Sequence, residues 1–344
     1  MSDISRRELL RLAALGLGAA ALAPVLAACK SLTPAAEPTS ARPTSPASTE
    51  AGTQAPPTDL PSPTQLASSA PVSPGTRPDL VVARNGDPEQ LVRRAVEALG
   101  GMALFVPRGT NVVVKPNVCV SYRTYEYAAT TNPWVVGTLV KMAFEAGARS
   151  VSVFDNPFSG DAAEAYATSG IAEQVKAAGG QMVVMSGRKF VSTQIPAGKW
   201  LKQAYIYDDI LKADVFINAP IAKDHSLARL TLGMKNLMGV VASPAEMHAN
   251  LGQAIADLHT RIKPQLTVVD CVRILTRGGP EGGSLADVKK LDTVVASADF
   301  VAADSYVAGL FGLKPNDLDY VTAGATMGLG QSDLSKLVVQ ELSV

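Results

Sequence analysis

From residue 79 onward, short apolar runs alternate with segments of helical period. Residues 79–84 alternate like a strand, and from Asp87 the apolar positions Leu91, Val92, Ala95, Val96 and Leu99 recur at spacings of three and four, one face of a helix. Residues 111–115 form a β-branched run that predicts a buried strand. Asn132-Pro133 starts a helix lasting to Gly147, with proline in the first turn, where its missing N–H costs nothing. Residues 150–154 predict a strand, 161–178 a mostly helical stretch and 181–185 another strand. The second half repeats the theme: strands over 214–218, 266–271 and 291–296, helices over 246–262 and 299–311. This order predicts an α/β fold, a mostly parallel sheet with helices on both faces. One sheet and two intimately packed lobes both satisfy it, with 187–200 as the natural seam.

The first 78 residues do not share this pattern. Arg6 and Arg7, followed by Leu9-Leu10 and Arg11, resemble a twin-arginine export signal. The uncharged segment 12–28 is too short and too rich in Ala and Gly for a membrane span, and reads as the apolar part of a signal peptide. It closes on Leu26-Ala27-Ala28-Cys29, which looks like a bacterial lipobox: small residues admit the peptidase and the Cys29 thiol receives the lipid. The expectation is an exported protein anchored by lipid at the outer face of the cytoplasmic membrane. Residues 30–78 hold 11 of the 23 prolines among Ser, Thr, Ala and Gln, without one aromatic, so they cannot offset the entropy of ordering. They predict a disordered tether spanning roughly 40 Å as a flexible coil. The divisions expected are therefore 1–29 signal, 30–78 tether and 79–344 folded domain.

Composition narrows the function classes. The formal charge is zero, with 31 basic and 31 acidic residues and no long basic run, which argues against a nucleic-acid partner. Once Cys29 is assigned to the lipid, only Cys119 and Cys271 remain of three cysteines, so no four-cysteine iron–sulfur cluster is expected in this chain. Whether those two pair is open at this point. The resident cofactor, if any, is not legible.

In open parallel sheets ligands bind beyond the carboxyl ends of the strands, so polar residues just after predicted strands deserve weight. Lys115-Pro116-Asn117 is one such segment, followed by a tyrosine-rich loop that ends in Thr131 and Asn132, where a helix start offers either N–H groups for an anion or ordinary capping. Asn218 to His225 is the second, with Lys223 and His225, and within ten residues come Lys235 and Asn236 inside an apolar stretch. A buried ammonium there demands an acid or an anionic ligand, unless Lys235 snorkels to the surface. The third is Asp270 at a strand end, followed by a loop whose Gly279 and Gly282 permit close backbone approach. The histidines suggest no metal: His248 and His259, eleven residues apart, would lie about 16 Å apart along one helix.

Lys115-Pro116-Asn117, Thr131-Asn132-Pro133, Asn218-Ala219-Pro220 with Lys223 and His225, and the run from Met234 to Gly239 resemble successive motifs of the DUF 362 family. So do the stretches from Ala254 to Leu258, Val268 to Asp270, Gly279 to Gly283 and Ala298 to Asp304. The resemblance spans nearly all of the folded region and implies a domain of unknown function. Some members carry an added ferredoxin-like module that hints at redox chemistry, which this chain lacks, and Cys271 stands where the family usually has glycine. The expected site gathers Lys115, Lys223, His225 and Lys235 as positive charge, Asn117 and Asn236 as amide contacts, and Asp270 as a base or the partner of a lysine. Lys235, His225 and Asp270 are the catalytic candidates, the ligand an anionic small molecule. A non-catalytic lipoprotein that captures a ligand or docks on a partner is the alternative.

Overall fold

The structure, a computed structural model, describes residues 77–344. Arg6, Arg7, Cys29 and the tether as far as residue 76 lie outside the described residues. Strand β1 (Leu80–Arg84) leads into helix α1 (Pro88–Ala98), which is capped by Asp87 accepting from the Gln90 N–H at 3.0 Å. Next come β2 (Asn111–Pro116), α2 (Pro133–Glu145), β3 (Ser150–Val153), α3 (Ala162–Thr168), α4 (Ile171–Ala177) and β4 (Gln181–Met182). An antiparallel hairpin, β5 (Phe190–Gln194) and β6 (Gln203–Tyr207), precedes the short α5 (Asp208–Leu211). The central segment then runs β7 (Val215–Ala219), β8 (Ile221–His225), β9 (Arg229–Thr231), α6 (Gly233–Asn236) and α7 (Leu251–His259). Strands β10 (Leu266–Leu275) and β11 (Val288–Ser297), helices α8 (Phe300–Leu310) and α9 (Asp319–Thr326), and strand β12 (Val339–Ser343) complete it.

Ten of the described strands form one sheet, eight of them in the order β12-β1-β11-β10-β7-β2-β3-β4. From β4 to β10 the neighbours are parallel, and β11 is the antiparallel strand between β10 and β1. Beyond the point where β7 leaves β10, β8 takes its place, and β9 folds back on β8. Two cores follow from the period of two along each strand. Val81 and Ala83 face α1 and α2, as do Val112, Val114, Val268 and Val294; Leu80 and Val82, with Val113, Val269 and Val295, face α7, α8 and α9. The fold is thus the expected α/β arrangement of a mostly parallel sheet between two helical layers.

The expected seam at 187–200 is instead most of the β5–β6 hairpin, whose two strands pair from Phe190↔Tyr207 to Gln194↔Gln203. Among the described residues every other strand joins the single sheet. The helix expected over 246–262 is a 3₁₀ turn over Pro244–Asn250 followed by α7, because Asn250 (φ −152, ψ 63) leaves the helical region. The stretch 161–178 is split at Gly170, which stands at φ 77. The strand expected over 181–185 keeps only two residues. Cys119 and Cys271 are both buried free thiols in separate clusters.

The loop of the hairpin is fastened to α7 by one acid. Asp257, buried on α7, accepts from the backbone N–H groups of Lys199, Trp200 and Leu201 at 2.8, 2.7 and 2.7 Å, and from Gln253 Nε2 at 2.8 Å. Replacing it leaves three N–H groups without their acceptor. Asp257→Ala is therefore expected to lower unfolding free energy by about 3 kcal/mol, and Asp257→Asn, which keeps one acceptor oxygen, by clearly less. Urea unfolding of the two variants beside the native chain measures the difference, and equal losses would mean that the carboxylate is not what holds the loop.

Candidate functional site

The carboxyl edge of the parallel strands carries a buried ionic centre. Lys115 leaves β2 with its ammonium fully buried, 2.7 Å from Asp155 Oδ1; Asp155 stands just past β3. Asp155 also accepts the Val118 N–H at 2.6 Å through its other oxygen. Asn236 completes the surround: its Oδ1 accepts from Lys115 Nζ and from Asn117 Nδ2, both at 3.1 Å, and its Nδ2 donates to Asn218 Oδ1 at 2.8 Å. Asn218 passes the chain of bonds on to the Gly233 carbonyl at 2.8 Å.

Asn236 is held in place from below. Helix α6 begins with the Gly233 and Met234 N–H groups both donating, at 2.8 Å, to the carboxylate of Asp304 on α8. Burial raises the Asp304 pKa to about 7, against the two N–H bonds that lower it. The chain leaving α6 then crosses directly over the ion pair at Gly239. A Cβ there would sit 2.2 Å from Asp155 Oδ1 and 2.9 Å from Lys115 Nζ, so only glycine allows this approach.

Lys223 is buried on β8 and works differently. Its ammonium donates to the Ala129 carbonyl at 2.6 Å and the Pro280 carbonyl at 2.9 Å, tying the loop after β2 to the glycine-rich loop after β10. Gly279 makes that contact possible, since a Cβ would lie 1.8 Å from the Asp224 carbonyl oxygen; Gly282 turns the loop at φ 83 against Tyr127 and Ala129. Burial lowers the pKa of both Lys115 and Lys223; Asp155 opposes the shift at Lys115, and the Cys119 thiol opposes it at Lys223.

Lys235 is the exception among the three. Half-buried on α6, it has no carboxylate or hydrogen-bond acceptor among the described residues. Burial and then the Lys223 charge, with a smaller contribution from Lys115, lower its pKa to about 8. His225 lies in the same field. Its Nδ1 accepts the Leu227 and Ala228 N–H groups at 3.1 and 3.2 Å, which puts the ring proton on Nε2. Burial, with the charges of Lys235, Lys223 and His248, lowers its pKa to about 3. His225 is therefore a neutral donor at pH 7. It does not supply the positive charge expected of it, nor a free basic nitrogen at Nδ1.

Other expected site residues are brought to this edge but are already engaged. Asp270 accepts the Asn132 N–H at 2.7 Å and the Val272 N–H at 2.9 Å, and burial lifts its pKa to about 6. Those contacts correct its expected role: the acid that pairs with a lysine is Asp155, and Asp270 pins the start of α2. Thr131 donates to the Ala219 carbonyl at 2.8 Å and accepts the Asn117 N–H at 2.9 Å. The Asn132 side chain caps the Trp134 N–H at 3.0 Å, so this helix start is ordinarily capped and not held open for an anion. The sequence pattern alone gave no site role to Asn218, Gly239, Asp304 or Asp155. Asp155 and Asn218 carry the signal used for Lys115, a polar residue at the end of an apolar strand. Gly239 and Asp304 carry none outside the family motif. Among the described residues no group of three or more His, Cys, Asp or Glu is placed to hold a metal ion.

These features define an α/β domain whose parallel sheet ends in a lysine and amide cluster with one ion-paired acid. The chain belongs to the family described as Domain of unknown function (DUF362), whose model matches residues 112–309. It is similar to a thylakoid-associated protein of Synechocystis sp., 26% identical over 255 residues, 69% of this chain and 74% of the relative. Solved structures similar to it include the lactate racemase apoprotein from Thermoanaerobacterium thermosaccharolyticum (14% identity, TM-score 0.40) and a protein from Thermotoga maritima (12% identity, TM-score 0.41). The matches cover 63% and 66% of this chain but only 54% and 60% of those chains.

A buried ion pair is best tested by removing its halves separately and together. Lys115→Met and Asp155→Leu are each expected to cost about 3–5 kcal/mol, because each strands the opposite charge, and the double substitution less than their sum by at least about 2 kcal/mol. A double-mutant cycle from denaturant unfolding measures the coupling, and strict additivity would contradict the pairing.

Proposed function

We propose that the domain binds an anionic small molecule against Lys235, with Lys115 and Lys223 behind it as fixed positive charge and the His225 Nε2–H and Asn117 beside it as donors. One observation carries the reading: Lys235 lies close enough to Lys223 and Lys115 for their charges to lower its proton affinity, and among the described residues the sole carboxylate in a salt bridge with any of the three is Asp155, on Lys115. An anion entering this field removes the repulsion at Lys235. An amine poised near neutrality can also give or take a proton, so acid–base turnover of the bound anion is the enzymatic form of the proposal. Substrate conversion separates that form from capture without reaction, which would make the chain a ligand-binding protein of the cell envelope.

The pH dependence has a definite sign. Free Lys235 has its pKa lowered to about 8, and the anion prefers the charged amine, so binding takes up a proton when the pH is near or above that value. Affinity for inorganic phosphate or a small carboxylate is expected to fall as pH rises through about 8, approaching tenfold per unit well above it. Lys235→Ala, at a half-buried position with no hydrogen-bond or ion-pair partner among the described residues, is expected to keep the fold and abolish that binding. Calorimetric titration at pH 6, 8 and 9.5 reads both effects. Unchanged affinity in Lys235→Ala, or affinity that rises with pH, would refute the site.

We further infer that this domain is exported and held by lipid on Cys29 at the outer face of the cytoplasmic membrane. The Arg6-Arg7 pair and the Leu26 to Cys29 stretch support the reading. Among the described residues no helix is long and apolar enough to cross a membrane, and the Synechocystis relative is named as thylakoid-associated. Cys29→Ser is expected to move the chain from the membrane fraction to the soluble one and to end its labelling by a clickable fatty acid. Persistent labelling would disprove the anchor.

A further inference from the structure

A second cleft, of about 920 Å³, is lined by Asn132 and Val272, whose N–H groups Asp270 holds, and by none of the three site lysines. Its aromatic wall is Trp134 and Tyr125, edge to face with centroids 5.1 Å apart, and Trp134 keeps 41% of its surface open to solvent. An exposed indole braced by a second ring is a platform that packing of the core does not require. Arg273 lies over the same Tyr125, its guanidinium 5.4 Å from the ring centroid. Half-buried there, Arg273 makes no hydrogen bond or salt bridge among the described residues, although the Glu126 and Asp270 carboxylates lie within its field.

The sheet has been bent to place it so. The β10–β11 register shifts after Cys271↔Thr293, so that Arg273 stands opposite Lys290 where an unbroken ladder would put Leu291 there; Asp292, in the shifted segment, takes φ 41. Two cations directly across an antiparallel pair repel one another. Asp292 answers Lys290 at 2.9 Å, and nothing comparable answers Arg273. Asp87 and Gln90 on the rim offer an acceptor and a donor, the mixture that hydroxyl groups need. The size is that of small-molecule sites, and the lining, mostly polar around the two aromatic rings, suits a ligand rich in hydroxyl groups.

We propose that this cleft is a ligand site separate from the lysine cluster, and that it takes an acidic saccharide: a pyranose ring stacked on Trp134 whose carboxylate meets the guanidinium fork of Arg273. The stacked guanidinium leaves its edge free for two parallel N–H bonds to a carboxylate, a geometry lysine cannot reproduce. A neutral sugar would leave Arg273 unanswered, and a simple aromatic acid would leave the hydroxyl-binding rim unused.

Trp134 can report directly, because the chain has two tryptophans and Trp200→Phe removes the other. The full chain carrying Trp200→Phe and Lys235→Ala is titrated with a disaccharide containing glucuronate, with a neutral disaccharide and with benzoate, following tryptophan emission. The expected result is saturable change with the acidic sugar, at least about tenfold weaker binding of both controls, and at least about tenfold loss in Arg273→Gln. Should Arg273→Gln unfold, Arg273→Lys decides: it keeps the charge, removes the fork and should lose most of the affinity. No saturable change, an equal response to either control, or full affinity in a folded Arg273 variant would each overturn the proposal.

Discussion

The structure at the carboxyl edge depends on the cost of keeping the Lys115 ammonium out of water. A fully buried ammonium is tolerable only when paired and hydrogen-bonded on every side, and Asp155, Asn236 and the Pro116 carbonyl supply that surround. The demand propagates outward. Asn236 must be oriented by Asn218, α6 must start where Asp304 holds it, and the chain beyond must cross at a residue without a side chain, Gly239. A long run of separate sequence motifs thus serves one desolvated charge.

The buried acids sort into two kinds. Asp257, Asp270 and Asp304 each spend their oxygens on backbone N–H groups: those of the hairpin loop, the start of α2 with the turn of β10, and the start of α6. Such bonds fix the segments that would otherwise leave buried donors unsatisfied. Asp155 alone of the four faces a lysine as well as a backbone group. The other three buried acids are thus committed to backbone N–H groups, and Lys223 and Lys235 are left without an ion pair among the described residues.

Much of this was legible in the sequence. Strands such as 111–115 and 266–271 are built on β-branched runs, Val112 to Val114 and Thr267 to Val269, which suit a strand buried on both faces. The site lysines were legible for a related reason, since Lys115, Lys223 and Lys235 interrupt apolar stretches where a charge needs an explanation. Roles were not legible, because they depend on which partner arrives from far along the chain. Asp155 lies 40 positions from Lys115, and nothing local distinguishes it from Asp270, which lies in an equally apolar strand but meets an N–H. His225 looked cationic until its Nδ1 proved to accept two N–H groups of its own turn. The β5–β6 hairpin was missed because Pro196 and Gly198 in its loop read as irregular chain, while Asp257, which organises that loop, belongs to a helix 50 residues later.

Asp270 also explains how one edge can support two environments. Its strand carries on past it through the shifted register to Arg273, its backbone N–H donates to the Pro220 carbonyl at the β7–β8 turn, and its carboxylate holds Asn132 at the start of α2. Trp134 and Arg273 are carried by the same helix start and the same strand that Asp270 joins, and neither lies in the lysine and amide cluster. Asp270 spends both oxygens on backbone N–H groups and so forms no ion pair with Lys235 or Arg273 among the described residues, although its charge still acts on Arg273. Both cations thereby keep their N–H groups available for a partner from solution.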